Sequence, residues 1–102
     1  MSQLGDVHTV ERIQTGVRME KRLLKVLRAF ADYHDLTLGD LLEGIVLHAF
    51  DGKCPFSKES LQRIQELKKF YGLHFDAAAS HRLVEAGAAN SLKKHRRGKY
   101  ER

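Results

Sequence analysis

Arg12, Gln14, Gly16 and Arg18 fall at alternate positions, and three of the four carry long side chains that end in hydrogen-bonding groups. Between them lie Ile13, Thr15, Val17 and Met19. Alternate residues of a strand face opposite ways, so residues 10–19 read as a half-buried β-strand with one polar and one apolar face. Such a face offers directional hydrogen bonding. Lys21, Arg22, Lys25 and Arg28 follow it closely, and residues 12–28 sum to +5. Residues 1–11 sum to −2, residues 29–90 to −3 and residues 91–102 to +5. Two basic blocks around an acidic middle suit a polyanion, although the same charges also serve to solvate a surface.

Other chemistries find little support. His74, Asp76 and His81 lie close in sequence, but offsets of two and five residues do not bring three ligands onto one helical face. His8, His34, His48 and His95 fall in different segments, so no metal site is expected. The single cysteine, Cys54, lacks a nearby histidine base and reads as a buried or half-buried free thiol. Gly5, Gly16 and Gly39 are isolated, which gives no phosphate-binding loop. No pair of carboxylates sits in an apolar stretch that would push their pKa values apart. The expectation is a protein that is not an enzyme and carries no cofactor.

The elements that position these residues follow from periodicity. The first helix is expected over 20–34, with Leu23, Leu24, Leu27, Phe30 and Ala31 as its apolar stripe and Lys21, Arg22, Lys25, Arg28 and Asp32 on its outer face. Asp35 and Leu36 break it. Thr37 then offers an N-cap with Asp40 three residues on, opening a second helix that runs to 50. Leu38, Leu41, Leu42, Ile45, Val46 and Ala49 form its stripe, and Gly44 inside it suggests a close helix approach. A third helix starts at Ser57 and stops at Gly72, and a fourth is expected over 77–86, capped by Asp76. The fold class is therefore mainly α, preceded by one strand. That strand has no mate in its own chain, so its backbone groups are expected to pair with the same strand of a second copy.

The order strand, helix, short break, helix resembles the ribbon-helix-helix family of DNA-binding proteins, which includes the Arc and MetJ repressors. The resembling stretch opens at Arg12-Ile-Gln-Thr-Gly-Val-Arg-Met-Glu and passes through Leu36-Thr-Leu-Gly-Asp-Leu-Leu-Glu to Phe50. The resemblance implies a homodimer whose antiparallel β-ribbon enters the major groove, one strand coming from each chain. It places Arg12, Gln14, Gly16 and Arg18 against base edges, where Arg suits guanine and Gln suits adenine. It also places Thr37, Leu38 and Gly39 against a DNA phosphate at the start of the second helix, with Lys21 and Arg22 as further phosphate contacts. Gly16 departs from the family's polar residue; it permits a closer backbone approach or a bulge, or it marks weaker specificity. The implied dimer core comprises Val17, Met19, Leu24, Leu27, Phe30, Leu41, Leu42, Ile45, Val46 and Ala49.

On this reading residues 1–9 are a flexible arm and 10–52 the DNA-binding and dimerisation domain. Residues 56–90 form a C-terminal helical extension, and 91–102 a basic tail that solubilises or touches DNA nonspecifically. The extension widens the dimer, joins dimers into tetramers, or binds a second protein. The expected role is sequence-specific binding of double-stranded DNA, most simply transcriptional repression. Family members also act as antitoxins. The rival is a dimeric protein-interaction module on the same fold, favoured by Gly16 and by the zero net charge of residues 1–90. A helical scaffold in which residues 10–19 extend the first helix is a third reading. No apolar run approaches the roughly 20 residues that span a bilayer. With one cysteine and no signal-peptide pattern, the expected location is the cytoplasm, at the nucleoid.

Overall fold

The computed structural model describes residues 6–87. Three α-helices follow one another: α1 (Lys21–Tyr33), α2 (Leu38–Phe50) and α3 (Lys58–Tyr71), with a 3-10 turn at Ala77–Ala79. Mainly α is the observed class.

The N-terminal strand is not there. Residues 6–20 hold no hydrogen-bonded secondary structure, and residues 6–18 are all exposed. The ribbon-helix-helix architecture, with a strand paired across a homodimer, is therefore corrected to three helices preceded by an irregular segment. The physical reason is that alternation specifies which way side chains point but supplies no backbone partner. Every regular element after residue 20 in the described chain is a helix, so no sheet edge exists for this segment to join. Nor does the segment lengthen α1, whose N-cap is Glu20 with its carboxylate accepting the Leu23 N–H at 2.7 Å.

Helix ends follow local chemistry. Thr37 Oγ1 accepts the Asp40 N–H at 3.1 Å, and Ser57 Oγ accepts the Ser60 N–H at 3.0 Å. At the end of α3, Gly72 turns left-handed at φ 72° and the Leu73 N–H returns to the Lys68 carbonyl at 2.8 Å. This closure drops Leu73 into the core, where it is 7% exposed. The α1–α2 break uses Asp35 at φ 56° instead, with the Leu36 N–H donating to the Ala31 carbonyl at 2.8 Å.

The fourth helix, expected over 77–86, shrinks to the single 3-10 turn. Asp76 does cap it, accepting the Ala78 N–H at 3.0 Å. Ser80 then leaves helical geometry and His81 adopts φ 66°. Leu83 and Val84, expected with Ala79 to pack that helix, stay exposed, and a ten-residue helix whose apolar side is not buried does not recover its nucleation cost.

Val26, Phe30, Ala31, Leu41 and Leu73 are the buried core among the described residues. Phe30, Ala31 and Leu41 form one cluster, flanked by half-buried Leu27, Ile45, Phe56, Ile64 and Leu67. Phe30 meets the Phe56 ring edge-on at 5.5 Å between centroids. Helices α1 and α3 run antiparallel. Arg63 of α3 donates to the Tyr33 hydroxyl at 2.9 Å, while Arg22 of α1 lies beside Gly72. Gly44 has open space where a Cβ would stand, so the helix approach expected there does not occur within the described chain. Cys54 is exposed in the α2–α3 connection, not buried.

Gly72→Ala should lower stability by about 1 kcal/mol, because alanine resists a left-handed φ. The nearest atoms to the new Cβ, Arg22 Nε at 3.8 Å and His74 Nε2 at 3.9 Å, add no clash. The check is a lower urea midpoint with an unchanged denaturant slope.

Candidate nucleic-acid interface

Two ion pairs position the N-terminal segment. The Arg12 guanidinium donates from Nε to Glu43 Oε2 at 2.8 Å and from Nη2 to Glu43 Oε1 at 2.7 Å. This fork-to-fork contact holds the segment against the first half of α2. Arg18 donates from Nη2 to Glu85, in the stretch beyond the 3-10 turn. Both pairs stand in solvent, so each exchanges readily for another anion. The Arg12 guanidinium holds the Glu43 carboxyl below the usual range, chiefly through its hydrogen bonds. Reciprocally, hydrogen bonding to Glu43, then its charge and that of Asp40, raises Arg12.

A cleft of about 1010 Å³ opens between this segment, α1 and the start of α2. Arg12, Gln14 and Gly16 line one side, and Thr37, Leu38 and Gly39 line another. Residues that the sequence assigned to base and phosphate contact therefore share one cavity. Arg18, Lys21 and Arg22 do not line it. Arg28 does, although the sequence reading placed it only on the outer face of α1. Its spacing from Lys21 and Lys25, at i+7 and i+3, is the signal that groups it with them. Gly16 has nothing within 4 Å of a built Cβ, so the close backbone approach suggested there is not made within the described chain.

The cleft is not the basic surface. Glu11, Asp40 and Glu43 set three carboxylates in its lining against Arg12 and Arg28. At the helix start Thr37 Oγ1 is occupied by the Asp40 N–H, and Asp40 brings a carboxylate into the first turn. The positive charge lies on the exposed side of α1. Lys21, Lys25 and Arg28 recur at helical spacing there with Arg22 alongside, and none has an ion pair among the described residues. Among the residues expected to make a dimer core, Phe30 and Leu41 are buried, whereas Met19, Leu24, Leu27, Leu42 and Ile45 are half-buried. Val17, Val46 and Ala49 are exposed. The arm over 1–9 is described only from residue 6, the extension over 56–90 only to 87, and the tail over 91–102 lies outside the described residues.

Among the described residues, no three His, Cys, Asp or Glu side chains gather where a metal ion would sit. No helix among them is long and apolar enough to cross a membrane. Comparison with protein-family models, with curated proteins and with solved structures finds no significant match.

Replacing Arg12 with Ala should move the Glu43 carboxyl up toward its ordinary pKa, read by a carbon-detected NMR titration of the side chain. A depressed carboxyl contributes stability above its ordinary pKa and loses it as pH falls through the lowered value. The wild-type segment should accordingly stay attached to α2 into acid and release only below the usual glutamate range. A Glu43 titration identical in both proteins would refute the pair.

Proposed function

We propose that this protein binds double-stranded DNA as a homodimer and represses transcription by occupying its site, in the cytoplasm at the nucleoid. The bare cationic face of α1 carries the reading. Lys21, Lys25 and Arg28 extend about 10 Å along the helix at 1.5 Å per residue. Duplex DNA presents one phosphate charge per roughly 1.7 Å of axis, so such a stripe faces several phosphates at once. Four cations without carboxylate partners among the described residues, next to a segment carrying Arg12, Gln14 and Arg18, combine backbone attraction with groups suited to base edges.

The base-facing set acts by exchange. Arg12 and Arg18 leave Glu43 and Glu85 for acceptors on DNA, swapping one charge-assisted hydrogen bond for another. Each bidentate arginine–guanine contact discriminates by about 1–3 kcal/mol. Phosphate anchoring falls to Lys21, Arg22, Lys25 and Arg28, with the backbone of Thr37, Leu38 and Gly39 close by across the cleft. Two copies double both sets. No sheet enters this account: the segment over 10–19 contributes side chains from irregular backbone.

The second reading, a dimeric protein-interaction module, draws on the carboxylates of the cleft and on the apolar side of α2. Leu47 is 64% and Phe50 80% exposed there.

Titrating the full chain onto random and selected duplexes across a salt series separates the two. DNA binding predicts a log–log salt slope that falls in magnitude by about 1 for Lys25→Ala and for Arg28→Ala. Arg18→Ala should weaken the selected sequence by about tenfold and random DNA far less. Absence of binding to any duplex at about 50 mM salt would eliminate the DNA reading and leave the interaction module.

A further inference from the structure

Another cavity, of about 460 Å³, is lined by Val26, Leu27 and Phe30 of α1. Interiors close-pack with few voids larger than a water molecule, and ligand pockets span about 300–1,000 Å³. This one is a groove open to solvent on one side, with Phe75 and Leu83 exposed in its lining, and its volume falls within the ligand-pocket range. Its inner end is apolar: Phe30, Ile45, Phe56 and Ile64 line it, with Val26 and Leu73 farther along. Its other end is polar, because α1 and α3 are antiparallel. Glu20 at the start of α1, Lys68 in the last turn of α3, and Asp76, Ser80 and His81, which follow α3, all line it. An apolar floor and a polar mouth fit an amphiphile.

The charge of its head group follows from which polar side chains are already engaged. The Glu20 carboxylate accepts the Leu23 N–H, and the Asp76 carboxylate accepts the Ala78 N–H. Glu20 sits at the start of α1, whose N–H groups draw on its charge, and Asp76 caps the 3-10 turn. Lys68 has neither an ion pair nor a side-chain hydrogen bond among the described residues. We infer that this pocket binds a small monocarboxylate with an apolar body, its chain lying along Phe30, Phe56 and Ile64 and its carboxylate on the Lys68 ammonium. The site is independent of DNA binding; a chain that ignores DNA still takes the acid.

The test is isothermal titration of the full chain with sodium octanoate, 1-octanol and octylamine. Octanoate should bind saturably with one molecule per chain, about fivefold tighter than octanol, the strength of a half-exposed ion pair. Lys68→Gln should erase that preference while leaving octanol unchanged. Ala79→Phe, which fills the pocket from the half-buried 3-10 turn, should abolish binding of all three. In the wild type, amide NMR shifts caused by octanoate should centre on Val26, Leu73 and Ala79, a readout that needs no variant. The proposal is overturned by a failure of octanoate to saturate, by a preference for octylamine, by full binding to a folded Ala79→Phe chain, or by shifts centred on Leu47 and Phe50.

Discussion

Phe30 sits where three elements meet. It is 5% exposed, shares a cluster with Ala31 of its own helix and Leu41 of α2, and meets Phe56 of the α2–α3 connection edge-on. Everything else is arranged around that contact. Helix α1 lends one flank to α2 through Ala31 and another to α3 through Leu27 and its neighbours, and only its remaining side is free for lysine and arginine. A helix covered on two flanks has one face to give to solvent, and here that face holds Lys21, Lys25 and Arg28. The basic surface is thus a consequence of core packing, since the residues that cannot be buried are those left outside.

The same arrangement opens cavities along α1, two of which bear on function. One lies between the N-terminal segment and the start of α2, where carboxylates and guanidiniums share the lining. The other lies between α1, α3 and the stretch after α3, where aromatic and aliphatic walls dominate. Arg18 links the two regions, because Glu85 belongs to the stretch that continues from the wall of the apolar cavity. Few residues are fully withdrawn from water, and α2 contributes only Leu41 to the buried set. A chain so thinly packed leaves apolar area available for association, in keeping with the modest core that a small domain builds alone.

What could be read in the residues, and what could not, divides by range. Thr37 and Ser57 cap helices, and Gly72 ends one, because those hydrogen bonds and that left-handed turn involve neighbours within five positions. The stripe of α1 was legible in part for the same reason: Leu27, Phe30 and Ala31 pack inward as helical spacing expects, but Val26, which the structure buries, was not read into it and Leu23 is exposed. Glu20 was missed as a cap because its side chain reaches three residues ahead to a lone N–H, a bond that short polar residues make more often. The 77–86 helix failed because its alanines favour helix locally while Leu83 and Val84 stay unburied. Arg28 was placed on the outer face of α1, yet only the folding of residues 11–19 over the start of α2 turned part of that surface into a cleft.

By itself, then, the amino-acid order determined the three helices, the caps at Thr37 and Ser57, and a concentrated positive charge over residues 12–28 on and after an alternating segment. Only the tertiary structure decided that the segment joins no sheet and that Arg12 and Arg18 find carboxylates 31 and 67 residues away. It alone also decided where cavities open along α1. The reason is physical: caps, turns and periodicity are settled by atoms a few bonds apart, whereas strand pairing, ion pairs and voids depend on which distant surfaces are brought together.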